Sequence, residues 1–186
     1  MNPLNTDRLL LRKLQAADIP LLVKYAGNKA IADNVLNVPH PYTEEDAIFW
    51  LNFVLQGYKN GERFVFAITL KQTAEFIGAV GLHPFAKHGT AELGYWLGQP
   101  FWVRGLMTEA VRAMLRFGFE ELNLHKIHAT HFTDNPASGK VMLHNGMIKE
   151  GEWKEQYKVG NEYKSVLQYR LLKSEWEERN KQRIKL

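Results

Sequence analysis

The chain predicts an α/β fold in the broad sense (α+β), with a mixed, mainly antiparallel central sheet flanked by helices. Three observations carry that expectation. Strand-like runs stand before, between and after helical ones along the 186 residues. Two short turns, Lys71–Glu75 and Gly160-Asn161, each join two such runs as hairpins. The stretch Ala91–Glu121 passes from a strand through a glycine turn into a long amphipathic helix. With 45% hydrophobic residues, this length suits one domain, 1–186, with an ample core.

Thr6–Leu14 (TDRLLLRKL) reads as the first strand. Ala17–Tyr25 reads as a helix, with Asp18 near its start and Gly27 past its end. Asn34–Tyr42 holds two prolines and is expected to be an irregular loop. Thr43 then caps a second helix that has acids in its first turn and points Ile48, Leu51, Val54 and Leu55 inward. Arg63–Leu70, Phe76–His83 and Ala91–Leu97 are strands. From Thr108 on, apolar residues fall at Val111, Met114, Leu115, Gly118, Phe119 and Leu122, with Arg112, Arg116 and Glu120 opposite, a helical period. His125–Phe132 is another strand, and Pro136–Asn145 a short helix closed by Gly146 as its C′ residue. Met147–Val159 and Tyr163–Leu172 form the last hairpin, and NKQRIKL is read as a frayed basic tail.

Composition excludes several functions. Without cysteine there is no disulfide, thiolate nucleophile or thiolate metal site. No apolar run reaches the length of a membrane span, and MNPLNTDRLL has no signal-peptide core, so the cytoplasm is the expected compartment. The formal charge of +4 suits an ordinary surface or an anionic ligand. His125, His128 and His131 are spaced by three, which shares a face on a helix; on a strand His128 points away from the others, so no metal is expected. His83 ends a strand, from which it could reach the acceptor cleft, though a surface histidine is the preferred reading. Trp50, Trp96, Trp102 and Tyr95 fall at core periodicity without interleaved basic residues, which favours packing over base stacking. Tyr42 and His40 are set apart by their place in the irregular loop.

The turn before the long helix carries the chemistry. A helix start leaves backbone N–H groups without partners and adds the positive end of the helix dipole. A turn that aims those groups outward binds anions, phosphate or pyrophosphate in particular. Gly105 permits φ > 0 and a close ligand approach. Neither the P-loop pattern nor the dinucleotide GxGxxG is present.

This turn resembles the acyl-CoA pyrophosphate loop of the GNAT acetyltransferase superfamily, and WVRGLMTEA is most similar to its RimJ/RimL-type branch. The family pattern Gln/Arg-x-x-Gly-x-Gly/Ala falls on Trp102, Val103, Arg104, Gly105, Leu106 and Met107, with Trp102 and Met107 departing from it. PYT, AELGYWLG, DNPASGKVMLHNGM and NEYKSVLQYRLL extend the resemblance over nearly the whole chain; Ser165 sits where an acid is frequent. The resemblance implies the GNAT fold and an acetyl-CoA-dependent N-acetyltransferase. It puts the cofactor pyrophosphate on the N–H groups of Val103, Arg104, Gly105, Leu106, Met107 and Thr108. It runs the pantetheine past Trp96 and Leu97 towards Asn135 and Ser138. It makes Glu92 the general base. It leaves Ser138 as donor to the leaving thiolate, because Met142 stands where many members have Tyr. Residue chemistry alone reads Asn135 and Ser138 equally well as helix caps. It leaves Glu92 either exposed or partly desolvated with a raised pKa, and makes Glu109 a structural acid of the first helical turn.

The expected acceptor is a primary amine that attacks the thioester directly, either a protein N-terminus such as that of a ribosomal protein or a small amine. Asn34–Tyr42 and the last hairpin would set the choice. No metal, membrane or nucleic acid is expected as a partner, and the chain is a monomer or homodimer. The competing reading is a non-catalytic acyl-CoA-binding sensor or interaction module, which Met142 and Ser165 keep open. A basic RNA-associated domain is a third, and steep salt dependence would be its mark.

Overall fold

The computed structural model describes residues 2–184. Its sheet holds β1 (Leu4–Asn5), β2 (Leu9–Lys13), β3 (Phe64–Leu70), β4 (Phe76–Phe85), β5 (Thr90–Leu97), β6 (Lys126–Phe132), β7 (Ile148–Val159) and β8 (Glu162–Leu172). The eight strands lie in the order β1-β2-β3-β4-β5-β6-β8-β7. All neighbours are antiparallel except β5 and β6, which run parallel. β3 and β4 are buried on both faces, which is why FVFAITL and FIGAVGL are near-continuous apolar runs. The helices are α1 (Ile19–Ala26), α2 (Lys29–Ala32), α3 (Glu44–Asn60), α4 (Leu106–Glu120), α5 (Pro136–His144) and α6 (Lys173–Ile184).

Glycines set two of the helix–sheet approaches. α4 lies so close to the sheet that a Cβ on Gly118 would sit 2.7 Å from Ile127 Cδ1 and 2.8 Å from Leu82 Cδ1. On α3, a Cβ on Gly57 would meet the Arg63 side chain at 2.7 Å. Arg63 in turn reaches His83, which strand alternation points away from Leu82. α3 and α4 therefore cover opposite faces. α1 packs on α3 and β4, and α5 on α4 and β6. Asp18, 4% exposed, anchors the start of α1 by a two-armed pair with Arg12 at 2.6 and 2.8 Å.

Several expectations need correction. The first strand is split, because Thr6 turns back to bond Leu9 and leaves Leu4–Asn5 as a separate short strand. α2 is an unexpected turn of helix, capped by Asn28, whose side chain accepts from Ala30 N–H at 2.9 Å. α3 has the Thr43 cap and its reciprocal partner Asp46. Its buried face is Ala47, Leu51, Val54 and Gly57, while Ile48 is 42% exposed. Tyr42 packs against the core rather than lining an open loop, and burial beside Asp46 pushes its pKa up to about 12. The tail is not frayed: Asn180–Ile184 continue α6, and Lys185 and Leu186 lie outside the described residues. Trp176 holds α6 down, its ring 5.4 Å from that of Phe119. Among the described residues, no helix is long and apolar enough to cross a membrane.

Candidate active site

β5 pairs with β4 along its whole length, Thr90 to Leu97. With β6 it pairs only at Thr90, Ala91 and Glu92. Beyond Glu92 the two strands part, so one edge of Leu93–Leu97 has no strand beside it, and β6 from Ala129 on pairs only with β8. A wedge thus opens inside the sheet, with unpaired peptide groups along its wall.

The glycine turn closes the wide end of that wedge. Gly105 is the N-cap of α4 with φ +72°, and Val103 is also left-handed at φ +59° and fully exposed. Among the described residues, the N–H groups of Val103, Arg104, Gly105, Leu106, Met107 and Thr108 find no acceptor. A side chain at Gly105 would meet only Arg8 Nη2, at 3.5 Å, so the surface over the turn is open. The turn is held from behind. Arg8 donates to the Arg104 carbonyl at 2.9 Å and to Glu109 through both its backbone N–H (2.8 Å) and Nε (2.7 Å). Thr6 donates to the same carboxylate at 2.5 Å. Burial would raise the Glu109 pKa, but these donors outweigh it and the pKa is lowered. The acid fixes the turn to the β1–β2 corner. Trp102 departs from core packing: it is 38% exposed, and its indole N–H donates to the Leu97 carbonyl at 2.6 Å. Leu97 is buried, and Trp96 packs edge-on against Phe76 at 5.8 Å.

Ser138 stands on the α4–α5 side of the wedge. The cap of α5 is Asn135, whose side chain accepts from Ser138 N–H at 3.3 Å. The Ser138 hydroxyl has a different partner, the Tyr95 hydroxyl at 2.9 Å; Tyr95 also donates to the Ser138 carbonyl at 3.0 Å. Tyr95, expected only to pack, thus links β5 to α5 across the wedge. Its pKa is raised by burial, with the bond to Ser138 opposing. No sequence signal marks this pair, since Leu93, Tyr95 and Leu97 simply read as an inward stripe. Met142 is buried at 1%.

Glu92 lies on the opposite face, half-buried at the last pair before the strands part. Ladder register sets it in a row of ionisable residues. Arg63 meets His83, His83 pairs with Glu92, Glu92 with His128, and His128 with Arg170. Residues paired across strands share a face, with Cβ atoms roughly 4.5–5.5 Å apart. Burial and the Arg63 charge lower the His83 pKa to about 4, so His83 is not the surface histidine expected. Burial also lowers that of His128, while the charge of Glu92 pulls it back up. Tyr157 of β7 is pushed up by burial and then by Glu92, which places it near the same carboxylate. His131 points the other way, under α5, where a Cβ on Gly139 would touch its Nε2 at 2.6 Å. Ser165 satisfies the bulge of β7, its hydroxyl accepting from Glu155 N–H at 2.9 Å.

Glu92 therefore lies at the narrow end of the wedge on one face, Ser138 meets Tyr95 on the other face, and the open N–H groups lie at the wide end. A family model described as an acetyltransferase (GNAT) domain matches residues 8–148. The relative p20 of Bacillus licheniformis, named an uncharacterized N-acetyltransferase, is 32% identical over 182 residues, 95% of this chain and 99% of its own length. The ribosomal protein uS5-alanine N-acetyltransferase of Escherichia coli is 25% identical over 181 residues, covering 93% of this chain and 92% of its own. The crystal structure of a GNAT-family acetyltransferase from Bacillus anthracis superposes with a TM-score of 0.83 at 26% identity, covering 93% of this chain and 99% of that one.

Proposed function

The chain belongs to the GNAT acetyltransferase family, and from that premise we propose that it moves an acetyl group from acetyl-CoA to the free N-terminus of a protein. One observation carries the reading: a turn with six open N–H groups at the start of α4 ends the wedge that Glu92 and Ser138 flank. The residues present fit the cosubstrate. Val103–Thr108 would hold the pyrophosphate through backbone N–H groups. The unpaired edge of Leu93–Trp96 offers peptide groups to the amide-bearing pantetheine arm, while the Leu97 carbonyl is already taken by Trp102. Asn135 keeps the start of α5 in place beside it. When bound, acetyl-CoA supplies an activated acetyl thioester.

The chain's own groups then handle protons. An amine must lose one to attack, and the Glu92 carboxylate would take it, directly or through water. The departing thiolate must gain one, and Ser138 Oγ–H would give it. Tyr95 has a single proton. When that proton is donated to Ser138 Oγ, the serine proton is free to point at the sulfur. A protein N-terminus suits such a site near neutral pH, since its pKa is about 8 against about 10.4 for Lys. The relative named for an alanine of ribosomal protein uS5 supports that class of acceptor.

Thiol release from acetyl-CoA, measured against N-terminal peptides, polyamines and free amino acids, tests the reading. Peptides are expected to turn over fastest. Release with polyamines and none with peptides overturns the proposed acceptor. Tight acetyl-CoA binding with no release for any amine overturns catalysis in favour of a sensor.

A further inference from the structure

Arg63 Nη1 lies 3.1 Å from His83 Nδ1. A guanidinium only donates, so Nδ1 accepts and the single ring proton sits on Nε2. Arg63 is itself held on two sides. Its guanidinium lies 4.0 Å over the Phe53 ring, and its stem presses against Gly57. Nε2 reaches towards β5, 3.7 Å from where a side chain on Gly94 would begin. Glycine there leaves space above β5, beside the residue that His83 pairs with, Glu92.

We propose that Arg63 locks His83 in its Nε2–H form so that the ring acts as a fixed donor that positions the Glu92 carboxylate at the narrow end of the wedge. The inference rests on Glu92 being the general base. A neutral N–H turned towards the carboxylate would orient one oxygen and leave the other for the incoming amine. A protonated ring would form an ion pair with Glu92 and weaken it as a base. The Arg63 charge prevents that, since burial and that charge keep His83 neutral down to about pH 4. The lock also prevents His83 from being the base itself, because its one lone pair is occupied. The groups that face this pair are Arg63 at the start of β3, Glu92 on β5, and beyond Glu92 His128 of β6 and Tyr157 of β7; α3 contributes the ring of Phe53. His83 is a positioning residue in this scheme, acting through Glu92.

The direct test is nitrogen NMR of the histidine rings in the intact protein, with His83 assigned by difference from His83→Gln. The parent should show Nδ1 bare and Nε2 protonated from pH 8 to pH 5. Arg63→Met should raise the His83 pKa, with burial still holding it below the ordinary histidine range, and let both tautomers appear. An Nδ1–H ring, or a mixture, in the parent overturns the lock whatever the activity. Kinetics test the positioning role. His83→Leu should lower kcat by about tenfold to a hundredfold, the worth of one hydrogen bond to a charged group. The acid limb of its pH–rate profile should move, and KM for acetyl-CoA should not. His83→Gln, which keeps an N–H donor, should recover most of the rate. The acid limb of Arg63→Met should lie at higher pH than the parent's. A parental profile for His83→Leu overturns the role. Failure of the underlying premise looks different: Glu92→Gln would then keep the parental profile while the ring spectra still report the lock.

Discussion

Replacing Ser138 by Ala separates its two roles. Its backbone N–H, the group that Asn135 caps, is retained, so the α5 cap should survive. What is lost is one hydroxyl, 2.9 Å from Tyr95 Oη. A single hydrogen bond of this kind is worth about 1 kcal/mol net. That corresponds to a fall in Tm of about 2–4 °C for a chain of this size. Tyr95→Phe removes two bonds, to the Ser138 hydroxyl and carbonyl, and should cost about 2 kcal/mol. The effect on rate should be much larger. Removing a general acid typically costs about a hundredfold to ten-thousandfold in kcat. Because Tyr95 acts through Ser138, the double variant should be scarcely slower than Ser138→Ala alone. The assay is thiol release at saturating acetyl-CoA, with cofactor affinity from calorimetry and Tm from the same preparations. Affinity should change little. A Ser138→Ala protein that turns over within twofold of the parent, having lost only a few degrees in Tm, would refute the proton-donor role.

Other outcomes follow from separate parts of the molecule. Gly105→Val places a β-branched residue at φ +72°, which costs about 1–2 kcal/mol in strain and tilts the turn N–H groups; calorimetry should show CoA binding sharply weakened in a folded protein, whereas Arg104→Ala should cost far less. Asp18→Ala strands the Arg12 guanidinium and should destabilise by about 3 kcal/mol in urea unfolding. Glu109 has a folded pKa below its ordinary 4.5, so its contribution to stability is complete above that value and is lost as the pH falls through the lowered one. Unfolding curves for Glu109→Gln should therefore run below the parent's at neutral pH and converge with them in acid.

The parts of the fold that were legible in the sequence are those with a strong local pattern. The α4 stripe from Val111 to Phe119, the αL glycines at Gly105 and Gly146, and both hairpin turns were all readable from neighbours in the chain. α6 was missed because KSEWEERNKQRI carries few apolar residues; its attachment depends on Trp176 reaching Phe119 and on Glu175 accepting from Leu172 N–H at 3.0 Å. Ile48 was misplaced by one step around α3, since Ala47 and Gly57 face the sheet and small residues give little hydrophobic signal. Glu92 and Ser138 were identifiable as candidates and His83 only as a residue that could reach the cleft, but the parts of Tyr95 and Arg63, and the link of His83 to Glu92, were not. Their relation to the site depends on strand register and on a contact between residues 43 apart, which no local periodicity encodes.

The parting of β5 from β6 has a mechanical consequence. Three residue pairs make up the ladder that joins the β1–β5 half of the sheet to the β6–β8 half, and among the described residues it is the one parallel ladder. Parallel pairing is slightly weaker per residue than antiparallel, so this seam is the natural line of sub-global opening. Amides of β6 near the wedge should exchange with solvent sooner than those deep in β3 and β4, through openings well short of full unfolding. A ligand lodged between the two strands would stitch the halves together, and its binding free energy would add to the cost of opening. Protection along the seam would then rise with ligand concentration, while the β3–β4 interior, already closed on both faces, would respond far less.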